Sequence, residues 1–252
     1  MDITFYLLWF CLGAAIGSFL NVCICRIPAG ESIITPPSHC PHCDKRLGAR
    51  DLIPVLSYIF LKGRCRHCAA PVSMQYPVVE TLTGLLFVIA LLRFGFSFET
   101  LAAAVFLSIL ITAAVIDIHH RIIPDGIVLT GLILGLPLAI YTPGSLGDGL
   151  LGALLGGGLL LLVAIISRGG MGGGDIKLTA MAGIYLGWQN VLLMLFLAFL
   201  TGSVAGVAIV MRQRKSLKEA IPFGPFLALG AAIAILWGRD IIQWYLHLFA
   251  RG

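Results

Sequence analysis

Long uncharged, mostly apolar stretches alternate with short charged segments along most of the sequence. A helix crosses the hydrocarbon core of a membrane with roughly 20 residues. The uncharged stretches are 3–25, 81–92, 100–116, 126–147, 149–167, 178–211 and 220–238. The 178–211 stretch is long enough for two short spans, with a break near Gly187-Trp188-Gln189-Asn190. The pattern predicts an all-α polytopic membrane protein of about eight transmembrane helices.

One polar segment of about fifty residues interrupts this pattern and divides the chain into parts. Residues 1–25 are predicted to be the first transmembrane helix, 26–76 a small polar domain, and 77–240 a seven-helix membrane domain. The 81–92 stretch becomes a full span if its helix begins at Pro77, since Pro is favoured in the first turn. Residues 241–252 are too short to span again and are predicted to be a tail at the interface.

Composition and charge set the environment and the orientation. The chain is 59% hydrophobic and 12% charged, with a net charge of +5. If the first helix runs from outside to inside, thirteen basic residues face inward, with Lys177 at the inner boundary. Only Arg93, Arg239 and Arg251 then face outward. Because basic residues stay on the cytoplasmic side, both termini should lie on the outer side of the membrane. The positive charge reflects this bias and gives no reason to expect a nucleic-acid partner.

The polar domain contains two pairs of cysteines at metal-ligand spacing. Cys40 and Cys43 form one C-x-x-C pair, and Cys65 and Cys68 form the second after 21 intervening residues. Four thiolates at this spacing suit a tetrahedral zinc site. Disulfides fit poorly because this side of the membrane is reducing, and a thioredoxin-like site would need a single pair. We therefore predict structural zinc, which a polar domain this small needs in order to fold.

Two acidic residues lie at the ends of predicted spans. Asp117 ends the third span, and Asp175 begins the sixth, directly after the glycine-rich stretch 169–174. These spans run in opposite directions, so both carboxylates should lie at the same inner depth of the membrane. Asp175 as a simple helix cap is the alternative. As a pair, they could share one proton, with one carboxylate activating water and the other polarising a carbonyl.

Other polar groups in the spans have more ordinary interpretations. Glu80 and Asp125 each stand near a helix start, where an acid favours the positive end of the dipole. Asn21 lies within an apolar span and should find a hydrogen-bond partner, because unpaired burial is costly. Asp117 sits at a helix C-terminus, where the dipole disfavours charge. The shared proton is therefore predicted to lie mostly on Asp117, leaving Asp175 as the base.

Several motifs carry a resemblance that covers most of the chain. The stretch Gly172-Gly173-Gly174-Asp175 matches the G-x-G-D motif of intramembrane aspartic proteases, and the whole chain resembles the bacterial type IV prepilin peptidases. The matching segments are 17–22, the paired C-x-x-C motifs, 76–80, 117–125, 172–177 and 222–225. Gln75 departs from the family pattern, which has Arg before Tyr-Pro.

This resemblance implies a function and a set of site residues. Asp117 and Asp175 would be the catalytic pair of the seven-helix domain, and the four cysteines would bind zinc in the cytoplasmic domain. The substrates would be prepilins and secretion pseudopilins in the lipid bilayer. Many members of the family also methylate the new N-terminus with S-adenosylmethionine.

A function from another class uses the same residues differently. A zinc-bearing membrane transporter or assembly adaptor could employ Asp117, Asp175 and Glu80 as a proton relay. A relay should place acids across the membrane, whereas these are predicted at one face. The polar domain also argues against a transporter.

Overall fold

The computed structural model describes residues 3–141, 146–213 and 222–250, and the regular structure in these ranges is helical. The all-α prediction is thus confirmed. The elements are α1 (Ile3–Arg26), a short 3₁₀ helix (Ala49–Asp51), α2 (Leu56–Phe60), α3 (Gln75–Phe94), α4 (Phe98–His120), α5 (Asp125–Tyr141), α6 (Leu146–Ile166), α7 (Gly173–Gln213) and α8 (Gly224–Ala250).

Six of the described helices are long and apolar enough to cross a membrane. They are α1, α3, α4, α6, α7 and α8, while the apolar part of α5, Asp125–Ile140, is shorter. A multi-pass membrane protein is therefore confirmed. The number of spans stays a prediction, because it depends on α5 and on how α7 is divided.

Helix α7 changes direction near its middle, where the sequence predicts a break. Gly187 has a non-helical backbone, with φ 74° and ψ 172°. A Cβ on Gly156 of α6 would lie 2.8 Å from Val191 and 3.0 Å from Thr179. These two residues would be about 18 Å apart in a straight helix. Residues 173–186 and 188–213 are therefore two helices that turn back on one another, and both pack against α6.

Some predicted features fall elsewhere or outside the described ranges. The sequence also predicts an outer turn at Pro143-Gly144 and a basic inner loop at 212–218. The turn and most of the loop lie outside the described residues. Residues 241–250 continue α8 without interruption. The placement of this segment along the interface, like the predicted domain division, stays a prediction.

The chain forms two compact units, Met1–Phe96 and Ser97–Gly252. In the first unit, α1 packs closely against α3. A Cβ on Gly13 would lie 2.9 Å from the Cα of Gly84, and one on Gly17 would lie 2.8 Å from the Cα of Glu80. Asn21 is buried there and donates to the carbonyl of Tyr76 at 3.2 Å. The small residues Gly13, Ala14 and Gly17 predict such a close helix contact. This contact and the predicted partner for Asn21 are both confirmed.

The second unit is built around α7. Helix α6 packs along α7, α8 packs on α7 and on α4, and α5 contacts α4 and α7. Phe106 of α4 stacks on Tyr185 of α7 with ring centroids 4.6 Å apart, and the Tyr185 hydroxyl donates to the Gly131 carbonyl of α5 at 2.8 Å. This packing fixes the relative positions of the ends of α4, α7 and α8.

Candidate active site and metal centre

Asp117 lies in the last turn of α4 and is 6% exposed. The helix ends three residues later at His120, and the following residue, Arg121, has a left-handed φ of 55° and donates its N–H to the Asp117 carbonyl at 2.9 Å. The carboxylate is held from another element, because its Oδ2 accepts a hydrogen bond of 2.9 Å from the backbone N–H of Gly224. Gly224 is the first residue of α8, and the amides at a helix start have no partner within their own helix. The Asp117 carboxylate supplies that partner.

A side chain at position 224 would disturb this contact. A Cβ on Gly224 would lie 2.7 Å from Asp117 Oδ2 and 3.0 Å from its Cγ. These distances are shorter than side-chain carbons normally reach, so the close approach requires glycine. Gly224 lies in the segment Pro222-Phe223-Gly224-Pro225. The family resemblance identified this segment, but it gave no role to Gly224. No residue spacing connects it to Asp117.

Asp175 is the third residue of α7, and the glycine-rich stretch before it allows close approaches on two sides. A Cβ on Gly172 would lie 3.0 Å from Asp175 Oδ2. A Cβ on Gly174 would lie 2.9 Å from the Cβ of Ile123, which is in the turn between α4 and α5. The glycines therefore let the start of α7 lie directly against the turn that follows Asp117.

The structure brings the two predicted catalytic carboxylates together. Asp117 and Asp175 lie close enough to act on each other electrostatically. The end of α4 and the starts of α7 and α8 thus converge on one site that contains two carboxylates and a backbone N–H donor. The shared proton is predicted on Asp117 because the C-terminus of α4 disfavours its charge while the N-terminus of α7 favours that of Asp175, and Arg121 opposes this by favouring an ionised Asp117. Since Asp117 also faces the N-terminus of α8, that dipole partly offsets the unfavourable one of α4, and the position of the shared proton stays a prediction.

The other two acidic candidates are placed differently. The Asp125 carboxylate forms an exposed ion pair with Lys177 of α7, at 2.8 and 2.9 Å. Glu80 of α3 belongs to the first unit, where its Oε2 accepts a hydrogen bond of 2.7 Å from the N–H of Val55. Each carboxylate therefore has a partner that stabilises the packing of its own unit.

The four predicted cysteine ligands form a cluster. Their sulfur atoms all lie within 4.8 Å of one another, and Sγ of Cys40 and Cys68 are 3.8 Å apart. A tetrahedral site with Zn–S bonds of about 2.3 Å has neighbouring sulfurs about 3.8 Å apart. The four thiols therefore fit a metal ion of this type, and the cluster can hold one.

The two C-x-x-C pairs have the same backbone conformation. In each, the N–H of the first cysteine donates to the carbonyl five residues later, at 3.0 Å for Cys40 and 2.8 Å for Cys65. The residue after the second cysteine has a left-handed φ in both, 53° at Asp44 and 57° at Ala69. The polar domain therefore contains a structural repeat that is not evident in the sequence beyond the cysteines.

Backbone N–H groups act on the second cysteine pair, and an ion pair joins its loop to the 3₁₀ helix. Backbone N–H groups of Cys68 and His67 face the Cys65 sulfur and lower the pKa of that thiol to about 6, which favours its thiolate. Against the backbone N–H of Ala70, burial and the neighbouring cysteine sulfurs raise the pKa of Cys68 to about 11. Arg66 pairs with Asp51 at 2.5 Å. This hydrogen bond lowers the pKa of the Asp51 carboxyl below its usual range.

Comparison with known proteins places this architecture in a family. A family model described as the bacterial peptidase A24 N-terminal domain matches residues 11–94, and one described as the type IV leader peptidase family matches residues 104–207. No solved structure matches the chain.

The curated relatives match over nearly the whole chain. A prepilin leader peptidase/N-methyltransferase of Bacillus subtilis (strain 168) is 41% identical over 240 residues, which cover 95% of this chain and 97% of that protein. Proteins with the same name from Aeromonas hydrophila and Stutzerimonas stutzeri are each 36% identical and cover 97% and 95% of this chain, and 95% and 93% of their own lengths. Matches of this extent confirm the resemblance seen in the motifs. The chain belongs to the type IV leader peptidase family.

Proposed function

We propose that this protein cleaves the leader peptides of prepilins and of secretion pseudopilins by aspartic protease chemistry, with Asp117 and Asp175 as the catalytic pair. The observation that carries the proposal is the convergence of these two carboxylates at the end of α4 and the start of α7. Family membership supports the reaction, and the names of the relatives supply the class of substrate.

The two carboxylates divide the reaction between them. Sharing one proton, the ionised carboxylate removes a proton from water while the protonated one donates a hydrogen bond to the scissile carbonyl. Water oxygen bonds to the carbonyl carbon and gives a tetrahedral diol. The diol then collapses as the C–N bond breaks, and the leaving amine takes a proton from the pair. The N–H of Gly224 occupies one lone pair of Asp117 Oδ2 throughout, which fixes the orientation of that carboxylate.

The membrane environment suits a substrate that is itself anchored in the bilayer. The bias of basic residues supports a cytoplasmic position for the inner ends of α4 and α7. A prepilin would insert its apolar helix into the bilayer and present its polar leader on the cytoplasmic side. Cleavage at that border requires acids at the membrane boundary, where Asp117 and Asp175 are predicted to lie.

The relatives' names support a second activity on the same product. We include N-methylation of the new N-terminus, because the relatives are named N-methyltransferases. S-adenosylmethionine would supply the methyl group, which transfers from its sulfonium to the free amine. The amine that accepts the methyl group is free only after leader cleavage, so cleavage must precede methylation.

The cysteine cluster is proposed to hold structural zinc. Cys40, Cys43, Cys65 and Cys68 would provide four thiolates and close the coordination sphere, which leaves no position for a catalytic water. The ion would join the two cysteine loops, which otherwise bury little apolar surface. Its contribution is therefore to the folding of residues 26–76 and not to the chemistry at the aspartates.

Cleavage of a purified prepilin tests the proposal. The purified protein in lipid nanodiscs would be incubated with membrane-inserted prepilin, with and without S-adenosylmethionine, and the products measured by mass spectrometry. We expect leader loss in both cases and a further methyl group only with the donor. An ion flux without cleavage would instead favour the transporter.

The aspartate assignment has a matched control. Asp117→Asn and Asp175→Asn should each abolish cleavage, whereas Asp125→Asn loses only an exposed ion pair, which costs about 0.2–1 kcal/mol of stability. An inactive but folded Asp125→Asn protein beside an active Asp117→Asn protein would refute the assignment.

A further inference from the structure

A group of apolar side chains is exposed on the polar domain, in and before the short helix α2. Ile59 is 60% exposed and Phe60 is 78% exposed. The other exposed large apolar residues of this segment are Leu52, Ile53 and Leu56. An exposed apolar patch of this kind marks an interaction surface more often than a chance arrangement. We call residues 52–60 the α2 segment.

The α2 segment has two distinct faces. Leu56, Ile59 and Phe60 are spaced three and four residues apart and share one side of the helix. Tyr58 is on the other side, where its hydroxyl donates to the carbonyl of Val72 at 3.4 Å and lies 2.8 Å from where a Cβ on Gly63 would be. One face therefore packs on the polar domain, and the other has no partner within the described chain.

A hydrogen bond joins this segment to the first turns of α3, one of the helices long and apolar enough to cross a membrane. The N–H of Val55 donates to Glu80 Oε2 at 2.7 Å, and Glu80 is the sixth residue of α3. Glu80 therefore lies about 8 Å along a helix of about 30 Å, the thickness of the hydrocarbon core. Val55 has a φ of 63° in a tight turn that Leu56 closes by donating to the Pro54 carbonyl. The turn thus starts α2 beside the first turns of α3, the end of that helix nearer the polar domain.

The charges around the α2 segment suit an anionic surface. Residues 26–76 contain seven basic residues and three acidic ones. Arg50, Lys62 and Arg64, which flank the segment, are all exposed. Basic residues beside an apolar helical face are typical of segments that lie in the interface of a membrane with anionic lipids.

We propose that the α2 segment docks on the anionic phospholipid surface of the same membrane that α1 and α3 cross. Leu56, Ile59 and Phe60 insert among the lipid chains near the headgroups, and the flanking basic residues contact phosphate groups. This contact fixes the metal-binding domain against the bilayer at a second point besides the ends of α1 and α3. The proposal does not depend on the catalytic role of the aspartates.

Photocrosslinking from the two faces of α2 tests the proposal. The full chain would carry p-benzoylphenylalanine in place of Phe60, and in a second protein in place of Tyr58. Both changes replace one aromatic side chain with another, only two residues apart. Each protein would be irradiated in nanodiscs containing phosphatidylglycerol, and lipid and peptide adducts would be identified by mass spectrometry. Unchanged metal content would show that both proteins fold.

The two positions should give different adducts. We expect several-fold more lipid adducts from position 60 than from position 58, and adducts near Val72 from position 58. Peptide adducts from position 60, whether to this chain, a second copy or an added prepilin, with lipid adducts no more frequent than at position 58, would overturn the proposal. In nanodiscs of phosphatidylcholine alone, lipid adducts at position 60 should fall several-fold, and an unchanged yield would refute the preference for anionic lipid.

Discussion

At the scale of single residues, the most informative contact is the one from the Gly224 amide to Asp117. It comes from the main chain, spans 107 positions of sequence and is buried. A hydrogen bond to a charged group contributes about 1.5–3 kcal/mol, which is enough to hold a carboxylate in one orientation. The position of Asp117 is therefore set by α8 as much as by α4.

Replacing Gly224 should impair catalysis more than folding. In Gly224→Ala, the new Cβ would displace the Asp117 carboxylate and lengthen or break the hydrogen bond. Loss of about 2 kcal/mol at the reacting groups corresponds to roughly a 30-fold lower kcat. Initial rates of prepilin cleavage in nanodiscs, with thermal stability measured in parallel, would show this.

Gly158→Ala provides the control for that substitution. A Cβ on Gly158 would have no neighbour within 4 Å. The same change there should leave kcat unaltered and favour the helix by up to about 1 kcal/mol. Equal loss of activity in both variants would mean that the Gly224 contact has no special role.

At the scale of elements, the glycine-rich stretch before Asp175 is not uniform. Gly174 lies against Ile123 and Gly172 against the Asp175 carboxylate, whereas a Cβ on Gly173 would meet nothing within 4 Å. The sequence shows five glycines among six residues and suggests flexibility throughout. In the structure, Gly172 and Gly174 instead lie so close to neighbouring atoms that a side chain would have little room.

Adjacent substitutions separate these roles. Gly174→Ala should move the first turn of α7 away from Ile123 and lower the cleavage rate at least about tenfold, because small misplacements of reacting groups are costly. Gly173→Ala adds the same atoms at the same helix end and should leave the rate nearly unchanged. Steady-state kinetics of the two variants provide the measurement, and a Gly173→Ala protein that is the more impaired would contradict this interpretation.

The helices were largely predictable from sequence, but their partners in the site were not. Long apolar stretches predicted helices that the structure contains and the break at Gly187, while the basic bias predicts which helix ends face inward. Periodicity does not report contacts between distant segments, so Gly224 and Ile123 were missed as neighbours of the aspartates. The interpretation of Glu80 as an acid at a helix end also omitted its hydrogen bond to Val55, which lies 25 residues earlier.

The cysteine loops give a prediction about metal content. The purified protein should contain one zinc ion per chain, and a Cys40→Ser, Cys65→Ser double variant should lose it, because each loop then loses a thiolate. Cys11→Ser changes a cysteine outside the cluster and should retain the full amount. Elemental analysis of the unchelated proteins decides between these outcomes, and undiminished zinc in the double variant would exclude these four ligands.

At the scale of the whole molecule, the orientation rests on the distribution of basic residues. Thirteen lie on the predicted inner side, besides Lys177 at the boundary, against three on the outer side. This bias is strong because charged loops resist transfer across the membrane. An even number of spans follows if both termini lie outside. The six long apolar helices of the described residues become seven when α7 is divided, and eight if α5 also spans.

Reporter fusions at the C-terminus would test the orientation. Alkaline phosphatase, which is active only outside the cytoplasm, should be active when fused after Gly252. Green fluorescent protein fused at the same position should not fluoresce, because the chain would carry it out of the cytoplasm. A bright fluorescent fusion together with an inactive phosphatase fusion would place the C-terminus in the cytoplasm and reverse the predicted topology.

The reversal of α7 at Gly187 also limits how the protein can be engineered. The two halves join through one residue with a positive φ, and any side chain on it would overlap the carboxylate of Asp148 in α6. An epitope tag or a flexible insert at this hairpin tip would have to separate α6 from α7. A library of inserts across residues 183–191 should therefore yield almost no active clones, which makes the tip a poor site for a label.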